Sequence, residues 1–363
     1  MRHSDALLTW FDRHRRDLPW RRTSDPYKIW LSEVMLQQTR VETVLPFYTR
    51  FLERFPTVED LARAGLDEVL ALWSGLGYYR RARQLHAASR VIAESGAGFP
   101  STVEGLLALP GVGSYTAAAV ASIAFRVPAP VMDGNVERVL SRVLASDEDP
   151  KSSGARKRLL AAAEDLLDRG RPGDSNQALM ELGATLCSPR RPKCLLCPIR
   201  SGCRAAAEGD PERYPVPRVK REAEHHHLLV AVVEKGDGVL LFRRPDESTL
   251  LAGTWELPWV SLAENGMAAE DLPEAALAAR YGGRWRLGER VGEVRHGITY
   301  RDIEVSVHRA ELARRSRFRS GTEAGWFDGE GRADLPLSSL VGKVLGALST
   351  SGEPARRSRS RRR

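Results

Sequence analysis

Four cysteines, Cys187, Cys194, Cys197 and Cys203, are all that the chain contains, with six, two and five residues between successive members. Clustering in one short loop argues for shared metal ligation rather than disulfides, and four thiolates suit either tetrahedral zinc or an iron–sulfur cluster. Two carboxylates also stand out. Glu33 follows Asp25-Pro26, a helix N-cap and first-turn proline, and lies on or beside the apolar side formed by Ile29, Trp30, Val34 and Leu36. A carboxyl among apolar neighbours is costly to ionise, so its pKa is expected to rise and let it donate a proton near neutral pH. Asp133 sits alone in Val131-Met132-Asp133-Gly134-Asn135, where it can also cap a helix carrying Val136, Val139 and Leu140.

The stretch Leu109-Pro110-Gly111-Val112-Gly113-Ser114-Tyr115-Thr116 predicts the elements that position these groups. A helix ends at Pro110, two glycines allow a tight turn with positive φ, and a second helix runs to about Phe125. Free N–H groups around Gly111, Gly113 and Ser114 then offer a site for an anion, most simply a DNA phosphate. Ala117, Ala118, Ala119 and Ala121 let the second helix pack closely on its partner, and Ser101 with Glu104 reads as a capping box for the first. Apolar periodicity marks further helices over 44–55, 66–73, 82–93 and 159–167, so this half is expected to be all-α, with roughly ten helices. Between two of them Gly75-Leu76-Gly77-Tyr78-Tyr79-Arg80-Arg81 displays aromatic and basic groups; Tyr78 is read either as a stacking or wedge residue at DNA or as a core tyrosine.

At 363 residues the chain is long enough for two cores, and its net charge of +8 owes much to six arginines within residues 356–363. That tail, residues 349–363, reads as disordered. No run approaches the apolar length of a membrane span, and charges occupy the place of a signal peptide's apolar segment, so an intracellular protein with no membrane partner is expected. Residues 214–224, Pro-rich and basic, read as a linker. Beyond it the period changes to 2 over 227–233, 239–243, 290–294 and 303–308, with helices over 273–280 and 337–348, which predicts an α+β domain over 225–348 after the all-α domain over 1–213.

With the hairpin, the carboxylates and the cysteine loop together, the chain resembles the MutY-type adenine DNA glycosylases of the endonuclease III, helix-hairpin-helix superfamily. The matching residues are Trp30 to Thr39, Gly75 to Tyr79, Leu109 to Thr116, Asp133-Gly134-Asn135-Val136 and the four cysteines. The resemblance implies a [4Fe-4S] cluster on Cys187, Cys194, Cys197 and Cys203. It also implies excision, in base excision repair, of adenine mispaired with 8-oxoguanine or guanine in double-stranded DNA. The protein would act as a monomer, at the nucleoid in the cytoplasm or in the nucleus of a eukaryote. Glu33 would protonate adenine N7 and later help activate water, and Asp133 would stabilise the cationic sugar or add to it covalently. Tyr115 stands where the lyases of the superfamily have a Schiff-base lysine, and a phenol cannot form an imine, so a monofunctional glycosylase is implied. Tyr115 and Asn135 would support Asp133, while Gln38 and Tyr78 would intrude near the mispair as adenine is turned out of the stack. The alternative within the superfamily is an endonuclease III-like pyrimidine glycosylase and lyase.

The second domain is similar to the MutT/Nudix-like domain with which that family recognises 8-oxoguanine, through Gly253-Thr254-Trp255-Glu256-Leu257-Pro258 and Arg295-His296. The acidic helix of magnesium-dependent Nudix hydrolases is missing, since residues 273–280 offer only Glu274, so nucleotide hydrolysis is not expected. The family's base-reading loop corresponds to Ile298-Thr299-Tyr300, of which Thr299 keeps a hydroxyl for DNA contact.

Overall fold

The computed structural model describes residues 2–216, 222–248, 250–262, 273–298 and 300–351. By contact the chain divides into two compact units, Met1–Arg63 with Gln84–Lys220, and Ala64–Arg83 with Arg221–Arg363. Its helices run α1 His3–His14, α2 Pro26–Leu36, α3 Val41–Arg54, α4 Val58–Arg63, α5 Leu66–Trp73, α6 Arg80–Ser95, α7 Val103–Leu107, α8 Ser114–Phe125, α9 Gly134–Leu144, α10 Ser153–Asp165, α11 Pro172–Thr185 and α12 Arg204–Glu208. Expected helices over 44–55, 66–73, 82–93 and 159–167 are therefore present, with α1, α4, α11 and α12 in addition.

Local chemistry sets the starts. Asp25 accepts a hydrogen bond from the Tyr27 N–H at 2.9 Å and Pro26 opens α2, as its sequence requires. The start of α7 differs from expectation: Thr102, not Ser101, is the N-cap and accepts from the Gly105 N–H at 3.1 Å. The hairpin also differs in detail. Gly111 has φ +74°, the left-handed conformation, and a Cβ there would strike the Gln84 side chain at 2.5 Å. Gly113 instead is extended at φ −93° and caps α8, so only one of the two glycines supplies positive φ.

The core of the first unit gathers Leu7 and Phe11 of α1, Ala118 and Ala119 of α8, Val136, Val139 and Leu140 of α9, and Ala178, Leu179 and Leu182 of α11. Ala117, Ala118, Ala119 and Ala121 of α8 are buried, which lets it pack against α2, α7 and α11 at once. In α2 the residues from Ile29 to Met35 are all buried, so Glu33 lies in a helix enclosed all round rather than striped on one side.

In the second unit one mixed sheet has the order β5–β1–β7–β6, with β1 Glu224–Val232, β5 Trp259–Ser261, β6 Trp285–Ile298 and β7 Arg301–Leu312. The pair β1/β7 is parallel and the other neighbours are antiparallel. A second sheet joins β2 Glu234–Lys235, β3 Gly238–Arg243, β4 Trp255–Glu256 and β8 Ala324–Phe327. Helices α13 Pro273–Tyr281, α14 Gly329–Ala333 and α15 Ser339–Ser351 complete it, and the second domain is α+β as expected.

Helices α11 and α9 approach closely where a Cβ on Gly183 would stand 2.6 Å from Asn135 Cβ and 3.1 Å from its backbone. Gly183→Ala is expected to destabilise the protein by about 1–3 kcal/mol in urea unfolding, because backbone rather than a flexible side chain must yield; an unchanged unfolding midpoint would contradict the packing described.

Candidate functional site

Several sequence-selected residues meet in one cleft of about 1040 Å³, lined by Glu33 and Gln38 from α2 and its exit, Gly111, Gly113, Ser114 and Tyr115 from the hairpin, and Asp133 and Asn135 at the start of α9. At its heart the Tyr115 hydroxyl donates to Glu33 Oε2 at 2.5 Å. Burial pushes the Glu33 carboxyl up to about 7, and the charge of Asp133 adds to the rise, while the Tyr115 hydrogen bond and Arg21 oppose it. Burial, with the charges of Glu33 and Asp133, also holds the Tyr115 phenol well above its ordinary value, so it stays a neutral donor.

Asp133 is fixed differently. It caps α9, with Oδ1 accepting from the Val136 N–H at 2.7 Å and Oδ2 from the Asn135 amide at 3.0 Å. Burial raises its pKa, and these hydrogen bonds together with Arg138 work against the rise. The site therefore holds two carboxyl groups in unlike settings, one enclosed by apolar side chains and one served by N–H donors at a helix N-terminus. One can carry a proton near neutral pH while the other is suited to face a positive charge.

Cationic side chains line the same cleft: Arg16, Arg21, Arg40, Arg138 and Lys151. Two of them rest on a fully buried carboxylate. Glu181 of α11 accepts from Arg16 at 2.9 Å and from Arg21 at 2.9 Å. Burial pushes the Glu181 carboxyl up, but the guanidinium hydrogen bonds overcome it and hold the carboxyl at about 2. Arg16, Arg21, Arg138, Met180 and Glu181 are residues that sequence reading missed. A carboxylate inside Ala178-Leu179-Met180-Glu181-Leu182 was the available signal, the same one that drew attention to Glu33.

Gln38 and Tyr78 both adopt positive φ, +57° and +51°, a strained conformation for such residues that displays their side chains at the surface. Tyr78 is 45% exposed, which rules out its reading as a core residue; it is not among the residues lining the cleft. Thr299 lies outside the described residues. Glu274 accepts a hydrogen bond from the Leu287 N–H at 2.9 Å and so is engaged in holding α13 to β6.

All four cysteines line a second cavity, walled by Val139, Leu182, Leu186 and Ile199, whose lining contains no histidine or carboxylate. Among the described residues no three His, Cys, Asp or Glu side chains form a group that could hold one metal ion. The loop is tied to α9 by two arginines. Arg142, buried, donates to the Ser188 carbonyl at 2.7 Å, the Pro189 carbonyl at 2.9 Å and Cys187 Sγ at 3.3 Å. Arg138 donates to the Cys187 carbonyl at 2.8 Å and to Asn135 Oδ1 at 2.8 Å. Burial pushes the Cys197 thiol up to about 11.

Residues 31–164 match the family described as HhH-GPD superfamily base excision DNA repair protein, and residues 229–347 match a NUDIX domain. Adenine DNA glycosylase of Mus musculus is 38% identical, over 93% of this chain and 76% of that protein. Adenine DNA glycosylase of Rattus norvegicus is 43% identical over 72% of this chain, which spans 60% of that relative's length. Among solved structures, a thermostable thymine-DNA glycosylase superposes with a TM-score of 0.52 at 33% identity, covering 56% of this chain and 95% of that one.

The raised Glu33 pKa carries a stability cost with a definite pH window. Near pH 4 Glu33 is protonated folded or unfolded and burial costs nothing. Above its ordinary 4.5 the unfolded chain gives up the proton while the folded chain keeps it to about 7, so stability falls across that interval. Glu33→Gln is expected to be more stable than the parent by about 3 kcal/mol at pH 8.5 and equal to it at pH 4 in urea unfolding; equal stability at both pH values would contradict the burial of an ionisable group there.

Proposed function

Because the chain belongs to the adenine DNA glycosylase family, within the HhH-GPD superfamily of base excision DNA repair proteins, we propose that it releases adenine from DNA where adenine is mispaired with 8-oxoguanine or guanine. The pairing of an apolar-enclosed Glu33 with a capped Asp133 in one cleft is the observation that carries this reading. Adenine is a poor leaving group as an anion. As the bond from sugar C1′ to adenine N9 breaks, its electron pair passes to the base, and a proton from Glu33 to N7 neutralises it. The sugar is left with oxocarbenium character, which the Asp133 carboxylate stabilises at close range. Water then adds to C1′ and gives its proton to the Glu33 carboxylate, which returns the acid to its starting form.

Tyr115 orients Glu33 and Asn135 orients Asp133, each through the hydrogen bond already described. Gly111, Gly113 and Ser114 would hold the DNA backbone at the start of α8, and Gln38 and Tyr78 would press on the duplex around the mispair. Of the five cations along the cleft, Arg16 and Arg21 are paired with Glu181 and Lys151 with Glu137, which leaves Arg40 and Arg138 to face a polyanion. Contact of Thr299 with the damaged base belongs to the same proposal. With no lysine at position 115, release ends at the abasic site without an imine.

The cysteine loop fits a [4Fe-4S] cluster held by Cys187, Cys194, Cys197 and Cys203. Four soft thiol donors surround one apolar cavity, and no harder ligand competes in its lining. When bound, the cluster supplies thiolate bonds that cross-link the loop. Arg138 and Arg142 carry that order into α9 by their hydrogen bonds to the loop backbone.

Duplexes carrying adenine opposite 8-oxoguanine, guanine or thymine, and thymine opposite guanine, incubated with excess protein and then treated with alkali, test the reading. Base loss is expected from the first two, with strand cleavage only after alkali, and Glu33→Gln is expected to slow it by about 10²–10⁴-fold. Loss of thymine instead, or efficient borohydride trapping of a protein–DNA adduct, would overturn the assignment in favour of a pyrimidine glycosylase or lyase. Freshly purified protein is expected to carry iron and labile sulfide, about four of each per chain; stoichiometric zinc would contradict the cluster.

A further inference from the structure

The Tyr115 hydroxyl has two acceptors and one proton. Glu33 Oε2 stands 2.5 Å from it and Met180 Sδ 3.2 Å, on the side of α11. Tyr115 and Met180 are half-buried and line the cleft together with Glu33. Around Glu33 the titratable and charged groups are Tyr115 from α8, Asp133 from the start of α9, and Arg21 from the short turn Pro19–Arg21. Arg21 is itself held by Glu181 at 2.9 Å. Met180 carries no charge, and its sulfur accepts from the same phenol that serves Glu33.

The two acceptors compete. When Glu33 is ionised, its carboxylate outbids a thioether, which is a weak acceptor, and the phenol proton stays on the carboxylate side. When Glu33 is protonated, Oε2 loses most of that advantage, and the proton can turn to sulfur without leaving a buried donor unmade. A second acceptor therefore lessens the bias that Tyr115 alone would give toward the ionised carboxylate.

We propose that Met180 is a positioning residue for the glycosylase reaction: its sulfur is the alternative acceptor for the Tyr115 proton and keeps Glu33 available as an acid. This deepens the reading above and rests on it for the use to which that acid is put. Leucine at 180 conserves volume and apolarity but removes the acceptor, so the phenol proton would commit to Glu33 and its ionisation would become easier.

The test reads Glu33 itself rather than turnover. The infrared C=O band of the protonated Glu33 carboxyl, identified by its loss in Glu33→Gln, is titrated with pH in the full chain. The parent, Met180→Leu, Tyr115→Phe and the double variant Met180→Leu/Tyr115→Phe are compared. Met180→Leu is expected to move the midpoint at least about half a pH unit lower, the scale of a weak hydrogen bond. Tyr115→Phe is expected to move it higher, and in that background Met180→Leu is expected to add nothing. An unmoved midpoint in Met180→Leu would overturn the proposal. So would an equal shift with and without the Tyr115 hydroxyl, because mere packing of Met180 would act regardless of the phenol. A shift as expected in a protein that releases no adenine would sustain the shared proton and refute the reaction instead.

Discussion

Everything at the centre of the first unit depends on enclosing one carboxyl group, Glu33, where ionisation is expensive. The enclosure is the work of α2, whose residues from Ile29 to Met35 are buried together, and of α8, whose alanines allow helices to close on it from several sides. An isolated carboxylate in such a place would be intolerable; the Tyr115 hydrogen bond and the freedom to keep its proton make it stable enough to persist. Asp133 shows the opposite solution within the same cleft. It is half-buried, and backbone and amide N–H groups at a helix start meet its charge. Two residues of similar chemistry acquire different roles because their surroundings differ.

Arginine supplies the remaining order. Glu181 would be as costly as Glu33 were it not for Arg16 and Arg21, which hold it ionised and are in turn held at the cleft wall. Along α9, Arg138 and Arg142 fasten the cysteine loop to the helix whose first turn Asp133 caps. The loop and the carboxylate thus share one rigid element, and the Gly183 approach to Asn135 keeps α11 against it.

How much of this was legible in the sequence follows from which forces are local. The cap at Asp25, the proline that follows, and the apolar residues three and four positions before Glu33 determine both the helix and the buried acid, and all lie within a dozen residues. The hairpin was readable for the same reason, though not which neighbour would cap α7, since Ser101 and Thr102 have nearly equal claims. Helix α11 escaped notice because Asn176, Gln177, Glu181 and Gly183 interrupt its apolar pattern. Their partners lie far along the chain, as when Glu181 meets Arg16 across 165 positions, and no local period reports that. Strands β2, β4, β5 and β8 have two to four residues, too few for alternation to register. In β6 the register shifts between Leu287 and Gly292 break the period, so only the stretch 290–294 was recognisable within a strand that runs from Trp285 to Ile298.

The most direct test of the central claim, that an enclosed Glu33 delivers a proton while Asp133 faces the sugar, is the pH dependence of single-turnover adenine release from a duplex carrying adenine opposite 8-oxoguanine. Release that falls as pH rises through about 7, where Glu33 loses its proton, is the expected result. Release that stays level or rises across that range would contradict a carboxylic acid as the proton donor.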